Sequence, residues 1–383
     1  CIPAYRLPRD ILYREMNALI DDNVSVEFGK KLGKDLTIDN LFSKGHKAVF
    51  LAMGADKSQR LALEGETLQG VYTSMEFLKA FNLRGEELAG GHVGIIGGGN
   101  SAVDAARVAM RQENVESVTL IYRRTDQEMP AYAEEVEAAL EEGIQLKTLV
   151  SPVKIRYIDT AEKEGVKVHK GVTAVKIHSH GGRLVGIECV KNQSGEMDSS
   201  GRRKPVPVPG SEFKISLNTL IVAIGESPDS ACLAEMGLKL DKSGRVEVDA
   251  RTLATSREGV FAGGDLVTGP YTVVDALAAG KKAAKIIDRY LRGEELIEPR
   301  YPMLPDVYIE PADADPSEFE NAERAEPELI PAEARRKNFR EVENALSLEQ
   351  ATAEARRCLR CDLEFTRGAR KEAEMEGAKD VHI

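Results

Sequence analysis

The stretch that decides the fold is Val93-Gly94-Ile95-Ile96-Gly97-Gly98-Gly99-Asn100-Ser101-Ala102. An apolar run typical of a buried strand leads into the spacing Gly97-x-Gly99-x-x-Ala102, and an Ala-rich helical pattern follows. The first glycine allows a tight turn, the second lets a pyrophosphate approach the backbone, and Ala102 allows close packing of helix on strand. Because the N–H groups at a helix start attract anions, the turn predicts a dinucleotide site. The alternative is a glycine turn without a ligand.

The next strand indicates which dinucleotide is bound. It reads Val118-Thr119-Leu120-Ile121-Tyr122 and is followed by Arg123 and Arg124. An NAD site usually has an acidic residue at this strand end, which binds the ribose hydroxyls and repels a 2′-phosphate. Two guanidiniums instead favour NADP(H), since arginine forms bidentate, charge-assisted bonds with phosphate. The alternative is a solvated basic strand end, which an NADH enzyme also tolerates.

The remaining pattern predicts an α/β protein with two Rossmann-like dinucleotide-binding domains. Apolar runs that end in glycine, at 48–54, 219–225 and 259–265, read as buried parallel strands, and 272–291 reads as a helix. We expect the strands at 219–225 and 259–265 to complete the sheet of the first domain. The predicted domains are a first part at 1–88, a nucleotide domain at 89–213, a returning part at 214–297 and a Pro-rich extension at 298–383.

Three further stretches carry a family resemblance. They are Ile2-Pro3-Ala4-Tyr5-Arg6-Leu7-Pro8, Pro205-Val206-Pro207-Val208-Pro209-Gly210-Ser211-Glu212-Phe213 and Thr255-Ser256-Arg257-Glu258-Gly259-Val260-Phe261-Ala262-Gly263-Gly264-Asp265. Together with residues 97–107 and 122–125 they resemble the small-subunit flavoprotein of glutamate synthase and its relatives, over roughly residues 1–295. These relatives have the pyridine nucleotide-disulfide oxidoreductase fold without its redox disulfide.

The resemblance implies an FAD domain interrupted by an NAD(P) domain. Hydride would pass from NADP(H) to FAD, and single electrons would leave through iron–sulfur clusters. The cofactors carry this chemistry, so no catalytic side chain is expected. The residues that the resemblance assigns to FAD are Gly264, Asp265, Thr272, Val273, Arg6 and Leu32. It also places Ala223, Ile224 and Gly225 beside the nicotinamide nucleotide.

The sequence departs from the family pattern at its start. A first G-x-G-x-x-G, which should hold the FAD pyrophosphate, is absent, and Cys1 stands where a glycine is usual. The chain therefore reads as lacking its N-terminal FAD half-site. We expect it to bind FAD poorly unless the missing segment comes from elsewhere.

A second departure is Cys358-x-x-Cys361 near the C-terminal end. This spacing suits iron–sulfur or zinc ligation, but either site usually needs four ligands, so the pair supplies half a site at most. The alternative is a pair of free thiols on a helix. The sequence leaves both readings open.

Composition limits the partners. The chain has 383 residues with 52 Lys and Arg against 63 Asp and Glu, a formal net charge of −11, which does not favour nucleic acid as a partner. Without an apolar run of about 18 residues, we expect no membrane insertion and a cytoplasmic location. The expected partner is an iron–sulfur protein or a larger catalytic subunit. The alternatives are an electron-input subunit of a hydrogenase, formate dehydrogenase or ferredoxin-linked transhydrogenase, and a non-catalytic nucleotide-binding scaffold.

Overall fold

The computed structural model describes residues 2–159, 182–198, 200–297 and 323–356. Residues up to Ile297 form one compact unit together with Pro331–Val342, and the described residues in 323–330 and 343–356 belong to a second unit. Within the described ranges, no helix has both the length and the apolar character needed to cross a membrane.

The strands all lie in the first unit. They are β1 (Val49–Leu51), β2 (Lys57–Ser58), β3 (Val71–Thr73), β4 (Gly91–Ile96), β5 (Val115–Ile121), β6 (Gln145–Lys147), β7 (Val150–Asp159), β8 (Gly182–Met197), β9 (Arg203–Pro207), β10 (Phe213–Ser216), β11 (Thr219–Val222), β12 (Glu226–Ser227) and β13 (Val260–Ala262).

The first unit also contains the following helices. They are α1 (Arg9–Ala18), α2 (Ile38–Ser43), α3 (Ser74–Arg84), α4 (Asn100–Met110), α5 (Ala133–Glu141), α6 (Ala231–Glu235), α7 (Asp265–Thr268), α8 (Val273–Leu291) and α9 (Ala332–Arg335). The second unit contains α10 (Leu348–Arg356), whose start is capped by the reciprocal hydrogen bonds of Ser347 and Gln350.

The central sheet is parallel and has the strand order β3-β11-β4-β5-β6. Ile95 of β4 pairs with Leu120 on one side and Ile221 on the other, and all three side chains are fully buried. Because both faces of such a sheet are buried, its strands need nearly continuous apolar runs. The chain moves outward from β4 to β6 and then returns to the other side of β4 at β11. A doubly wound sheet binds its ligand at this switch point.

The position of β11 corrects the predicted domain assignment. We expected residues 219–225 to complete the sheet of the first domain, but β11 lies between β3 and β4 in the nucleotide-domain sheet. Strand β3, at 71–73, also belongs to this sheet, so the boundaries predicted at 88 and 213 both cut through it. A fully apolar run indicates a buried parallel strand, but it does not say which of two parallel sheets the strand joins.

An antiparallel sheet packs beside the parallel one. Its order is β10-β8-β7, and the far end of β8 pairs with β9 as a hairpin. Ile155, Leu184 and Ile187 form its buried face, and they pack against Ile96 and Ile121 of the parallel sheet. The sequence analysis did not predict this layer as a separate sheet.

A second pair of parallel strands precedes four of the residues that the resemblance assigned to FAD, namely Gly264, Asp265, Thr272 and Val273. Strand β1 pairs with β13, so that Phe50 lies opposite Phe261, and α8 follows this pair. The C-terminal half of α8 buries Ala283 and Ile286, whereas Val274 in its first turn is 72% exposed.

Residues Pro331–Val342 form a strap on the first unit. The Phe339 ring stacks on Phe81 of α3 with centroids 4.4 Å apart, and the N–H of Val342 donates to the carbonyl oxygen of Tyr5 at 3.1 Å. The sequence predicted a Pro-rich extension at 298–383 without indicating which part of it contacts the first unit. Proline and acidic residues predicted an extended arm, but they carried no signal for the surface on which this segment lies.

Candidate functional site

The glycine turn lies at the carboxyl end of β4. A Cβ on Gly97 would overlap the carbonyl oxygen of Ala223, and a Cβ on Gly98 would lie 2.6 Å from the ring of Tyr122. Gly97 also has a φ of +148°, which side chains rarely adopt. A Cβ on Gly99 would meet only Pro130, at 3.9 Å. The space in front of Gly99 is therefore open, as a close approach of pyrophosphate requires.

Helix α4 begins at this opening. Gly99 is its N-cap residue and no side chain caps the helix, so the first N–H groups keep their capacity to bind an anion. Ala102 is completely buried, as close packing of helix on strand requires, and Ser101 is half-buried in the first turn. The Asn100 side chain does not cap the helix; its Oδ1 accepts the N–H of Tyr132 at 3.1 Å.

A loop forms one wall of the opening. The N–H of Ala131 donates to the carbonyl oxygen of Gly98 at 3.1 Å, and this bond holds the loop together with the Asn100–Tyr132 bond. The Tyr122 hydroxyl donates to the carbonyl oxygen of Glu128 at 2.8 Å and ties the start of the loop to the end of β5. Sequence reasoning missed this wall, because its contacts involve mainly backbone atoms.

The structure brings Ala223, Ile224 and Gly225 to the same sheet edge. The N–H of Ala223 donates to the carbonyl oxygen of Ile96 at 2.8 Å, directly beside the glycine turn. Ile224 is 38% exposed, and the carbonyl oxygen of Gly225 accepts the N–H of Gln59 at 2.8 Å. Their contact with a nicotinamide nucleotide stays a prediction.

The two arginines after β5 have different environments, which corrects the prediction that both bind phosphate. Arg124 is only 5% exposed; its Nη2 lies 2.5 Å from Asp198 Oδ2 and its Nε donates to the carbonyl oxygen of Arg203 at 2.8 Å. Arg123 is exposed, and the described residues provide no partner for its guanidinium. Of the two guanidiniums, only that of Arg123 is therefore exposed to solvent.

Arg6 forms ion pairs with two carboxylates of the nucleotide domain. Its Nη1 donates to both oxygens of Asp104, and its Nε lies 3.0 Å from Glu135 Oε1. Asp104 is on α4 and Glu135 on α5, so the guanidinium joins the N-terminal segment to the nucleotide domain. The sequence did not predict these partners, and a contact between Arg6 and FAD stays a prediction.

A buried charge cluster lies beneath Arg6. Glu142, which is 0% exposed, accepts Arg107 Nη2 at 2.7 Å and Arg111 Nη1 at 2.6 Å. Both guanidiniums lie over the Tyr5 ring, 4.6 and 4.4 Å from its centroid. Sequence reasoning missed this cluster. The available signal was the three charged positions 104, 107 and 111, which lie on one face of an otherwise apolar helix.

Burial and pairing shift the pKa values of this cluster in opposite directions. Burial raises the pKa of Asp104 to about 6, although the Arg6 guanidinium works against this rise. Burial also acts to raise the pKa of Glu142, but hydrogen bonds from Arg111 and Arg107 outweigh it and hold the pKa below its ordinary value. Glu142 is therefore the permanent anion of the cluster, while Asp104 titrates near neutrality.

Four of the residues assigned to FAD lie at or just before the start of α8. Gly264 has a φ of +65°, and a Cβ there would meet only Ala276, at 3.8 Å. Asp265 Oδ1 accepts the N–H of Tyr271 at 3.2 Å; burial raises the pKa of its carboxyl group, and this hydrogen bond opposes the rise. Thr272 is the N-cap of α8, and its hydroxyl oxygen accepts the N–H of Asp275 at 3.1 Å. Val273 is half exposed.

These residues fit one side of a flavin site. They offer open space at a left-handed glycine, a partly buried carboxylate and a helix start, which suit ribityl hydroxyls and a developing negative charge. Leu32 does not belong to this group of residues. It packs beside Cys232, whose thiol donates to the Leu32 carbonyl oxygen at 3.8 Å. Among the residues that the structure describes, the only strand-to-helix turn with G-x-G-x-x-A spacing is the one at 97–102.

Cys358 and Cys361 lie outside the described residues, so their proposed ligation stays a prediction. Within the described ranges, no group of three or more His, Cys, Asp and Glu side chains is arranged to hold a metal ion.

Comparison with known proteins identifies the family. Residues 12–280 match the model of the pyridine nucleotide-disulphide oxidoreductases. The chain belongs to this family. Among solved structures, FprA from Mycobacterium tuberculosis in complex with NADPH is similar with a TM-score of 0.53 and 17% identity, covering 76% of this chain and 73% of FprA. At that identity the likeness shows the fold alone, and it confirms the predicted α/β class.

Curated relatives confirm the resemblance to the glutamate synthase small subunit. The chain is 40% identical over 368 residues to the NADP(+)-dependent formate dehydrogenase subunit beta of Moorella thermoacetica, covering 94% of this chain and 48% of that protein. It is 34% identical to the NADPH-Fe(3+) oxidoreductase subunit beta of Geobacter sulfurreducens, covering 94% and 55%. It is 32% identical to the glutamate synthase [NADPH] small chain of Escherichia coli, covering 76% and 60%.

These findings confirm the predicted class of protein. The chain belongs to a family of oxidoreductases whose members bind FAD and NADP(H), as its motifs predicted. It spans about half the length of the first two curated relatives.

Proposed function

We propose that the chain binds NADPH at the turn of residues 97–102 and passes its hydride to FAD bound near Asp265. The observation that carries the proposal is the uncapped start of α4, which opens at the switch point of a doubly wound sheet. The exposed guanidinium of Arg123 at the end of the neighbouring strand supports the choice of NADPH over NADH.

The cysteines support direct transfer to flavin instead of a dithiol reaction. Within the described ranges the free cysteines are Cys189 and Cys232. Burial raises the pKa of the Cys189 thiol to about 12, so it stays protonated and unreactive. A flavin held near Asp265 would supply the hydride-accepting chemistry, and the protein would contribute position and local charge.

The pattern of similarity favours one of the predicted alternatives for the wider complex. The Moorella and Geobacter subunits match 94% of this chain, which necessarily includes most of the residues beyond 297, whereas the glutamate synthase chain matches 76%. We therefore favour an electron-input subunit of a formate dehydrogenase-like or related complex, with an iron–sulfur protein as electron acceptor and a cytoplasmic location. Glutamate synthesis is the second candidate, supported by the small-chain relatives.

The nucleotide assignment is tested by titration calorimetry with NADP+ and NAD+. The Arg123 guanidinium can donate two to three charge-assisted hydrogen bonds to the 2′-phosphate. Because Arg123→Ala removes them, NADP+ binding should weaken about tenfold. Binding of NAD+ should not change. Lys154→Ala, at an exposed cation of β7, is the matched control. An unchanged ratio of the two affinities in the Arg123 variant would rule out this position as the 2′-phosphate contact.

The catalytic assignment needs a separate measurement. NADPH should bleach the flavin absorbance of the FAD-loaded protein, and the Gly99→Ala variant should do so far more slowly. A protein that binds NADPH and FAD but never transfers reducing equivalents would instead be the nucleotide-binding scaffold.

A further inference from the structure

The β8–β9 hairpin is fastened to the end of β5. Arg124 holds the hairpin at two points, through its contact with Asp198 at 2.5 Å and its bond to the carbonyl oxygen of Arg203 at 2.8 Å. Asp198 also accepts hydrogen bonds from the Ser200 hydroxyl and from the N–H groups of Arg202 and Ser200. These bonds, the hydroxyl's above all, hold the pKa of its carboxyl group well below the ordinary value. Asp198 is therefore ionised and neutralises Arg124, which leaves Arg123 as the free cation at the strand end.

The backbone of Arg203 is fixed on both sides. Its N–H donates to Glu128 Oε1 at 2.6 Å, while its carbonyl oxygen accepts from Arg124. The Thr125 hydroxyl in turn donates to Glu128 Oε2 at 2.8 Å. Arg203 is thus bonded to residues that directly follow β5 in the chain, next to Arg123.

The side chain of Arg203 remains available. It is exposed, and its hydrogen bond to the carbonyl oxygen of Gly195 is long, at 3.5 Å. Residues 202–204 are three consecutive cations in a chain with a net charge of −11. An exposed guanidinium fixed at this place can bind an anion, because the second strand end of a dinucleotide fold lies beside the adenosine ribose.

We propose that Arg203 is a second cation for the 2′-phosphate of NADP(H), acting together with Arg123, and that Arg124 and Asp198 are the positioning pair that brings it there. The inference rests on the proposed function. It assigns selectivity to two guanidiniums from different parts of the chain, each able to donate two parallel bonds to the phosphate oxygens.

The test compares 2′,5′-ADP with 5′-AMP, which differ only by the 2′-phosphate, as ligands of the purified protein in calorimetry. Arg203→Ala should weaken 2′,5′-ADP binding about tenfold and leave 5′-AMP binding unchanged. The protein should still fold, because the bonds that fix residue 203 come from its backbone. Lys204→Ala is the control, since neighbouring side chains of β9 lie on opposite faces.

The positioning role has its own readout. Asp198→Asn should lower the ratio of 2′,5′-ADP to 5′-AMP affinity, and Asp198→Glu should restore part of it. A purely structural role would weaken both ligands equally and leave the ratio unchanged, which would overturn the positioning role.

Two failures can be told apart. If Arg123→Ala weakens 2′,5′-ADP binding but Arg203→Ala does not, the inference about Arg203 is wrong and the proposed function stands. If the unmodified protein binds 2′,5′-ADP no better than 5′-AMP, the NADPH assignment itself is wrong.

Discussion

Nη1 of Arg6 donates to both carboxylate oxygens of Asp104, at 3.0 and 3.1 Å. Asp104 is on α4, the helix whose start opens at the nucleotide site, and lies four positions beyond Asn100. The RLP run that resembles a flavin contact therefore anchors the N-terminal segment to the nucleotide domain. This ion pair connects two parts of the chain that are 98 residues apart in the sequence.

The first prediction concerns Arg6→Ala. The change leaves Asp104 and Glu135 without this cation, so we expect the free energy of unfolding to fall by about 2 kcal/mol. The loss stays below that of a fully buried pair because a quarter of the Arg6 side chain is exposed. Urea denaturation measures it, with Arg14→Ala on exposed α1 as the control. If stability is unchanged and the FAD content falls, Arg6 is instead an FAD contact.

The second prediction concerns pH. The pKa of Asp104 is raised to about 6, so the folded state holds this proton more tightly than the unfolded state. The resulting stabilisation is complete below the ordinary pKa of 3.8 and is lost as pH rises through 6. Asp104→Asn mimics the protonated form. Its stability relative to the unmodified protein should therefore rise between about pH 4.5 and about pH 7.5 in urea denaturation.

Because the Asp104→Asn variant and the unmodified protein are compared at each pH, the contributions of the other titrating groups to stability cancel. The prediction is contradicted if the Asn variant loses stability relative to the unmodified protein as pH rises, because that result would mean that pairing with Arg6 outweighs burial.

The third prediction separates two glycines of the turn. Gly97→Ala places a methyl group on the Ala223 carbonyl oxygen at a φ of +148°, so we expect it to lower the melting temperature strongly. Gly99→Ala meets only Pro130, at 3.9 Å, and should fold normally. Its methyl group points into the open space in front of α4, so NADP+ affinity should fall at least about tenfold. Differential scanning fluorimetry measures the melting temperature, and calorimetry measures the NADP+ affinity. If Gly99→Ala binds NADP+ normally, the pyrophosphate does not bind in front of Gly99.

Local patterns predicted the strand, turn and helix of the candidate nucleotide site. The apolar run and the glycine spacing at 93–102 are signals carried by neighbouring residues, so the sequence is sufficient to predict all three elements. The partner strand of β4 is a different matter, because β11 lies more than one hundred residues away and its apolar run fits either parallel sheet equally.

The arginines show the same limit at the level of a side chain. Arg123 and Arg124 follow β5 as two identical side chains, so the sequence does not distinguish between them. Which of the two is buried depends on Asp198, 74 residues from Arg124, and on the hairpin that contains it. A salt bridge of that separation leaves no periodic signal in the sequence.

The last prediction concerns the strap of residues 331–342. Phe339 stacks on Phe81, and Arg111 Nε donates to the Asn338 carbonyl oxygen at 3.0 Å, so the ring lies next to the buried charge cluster. Phe339→Ala removes the stacked ring and leaves polar and charged contacts to hold the strap. We expect a loss of about 2 kcal/mol in the free energy of unfolding, and faster tryptic cleavage after Lys337.

Phe28→Ala is the matched control, since that ring is 88% exposed and its loss should change neither quantity. Cleavage reports opening of the strap at equilibrium, so it should accelerate in the Phe339 variant under conditions where the rest of the chain stays folded. If stability falls but cleavage after Lys337 stays as slow as in the unmodified protein, the polar contacts alone hold the strap. The aromatic stack then contributes to the core of the nucleotide domain and not to the attachment of this segment.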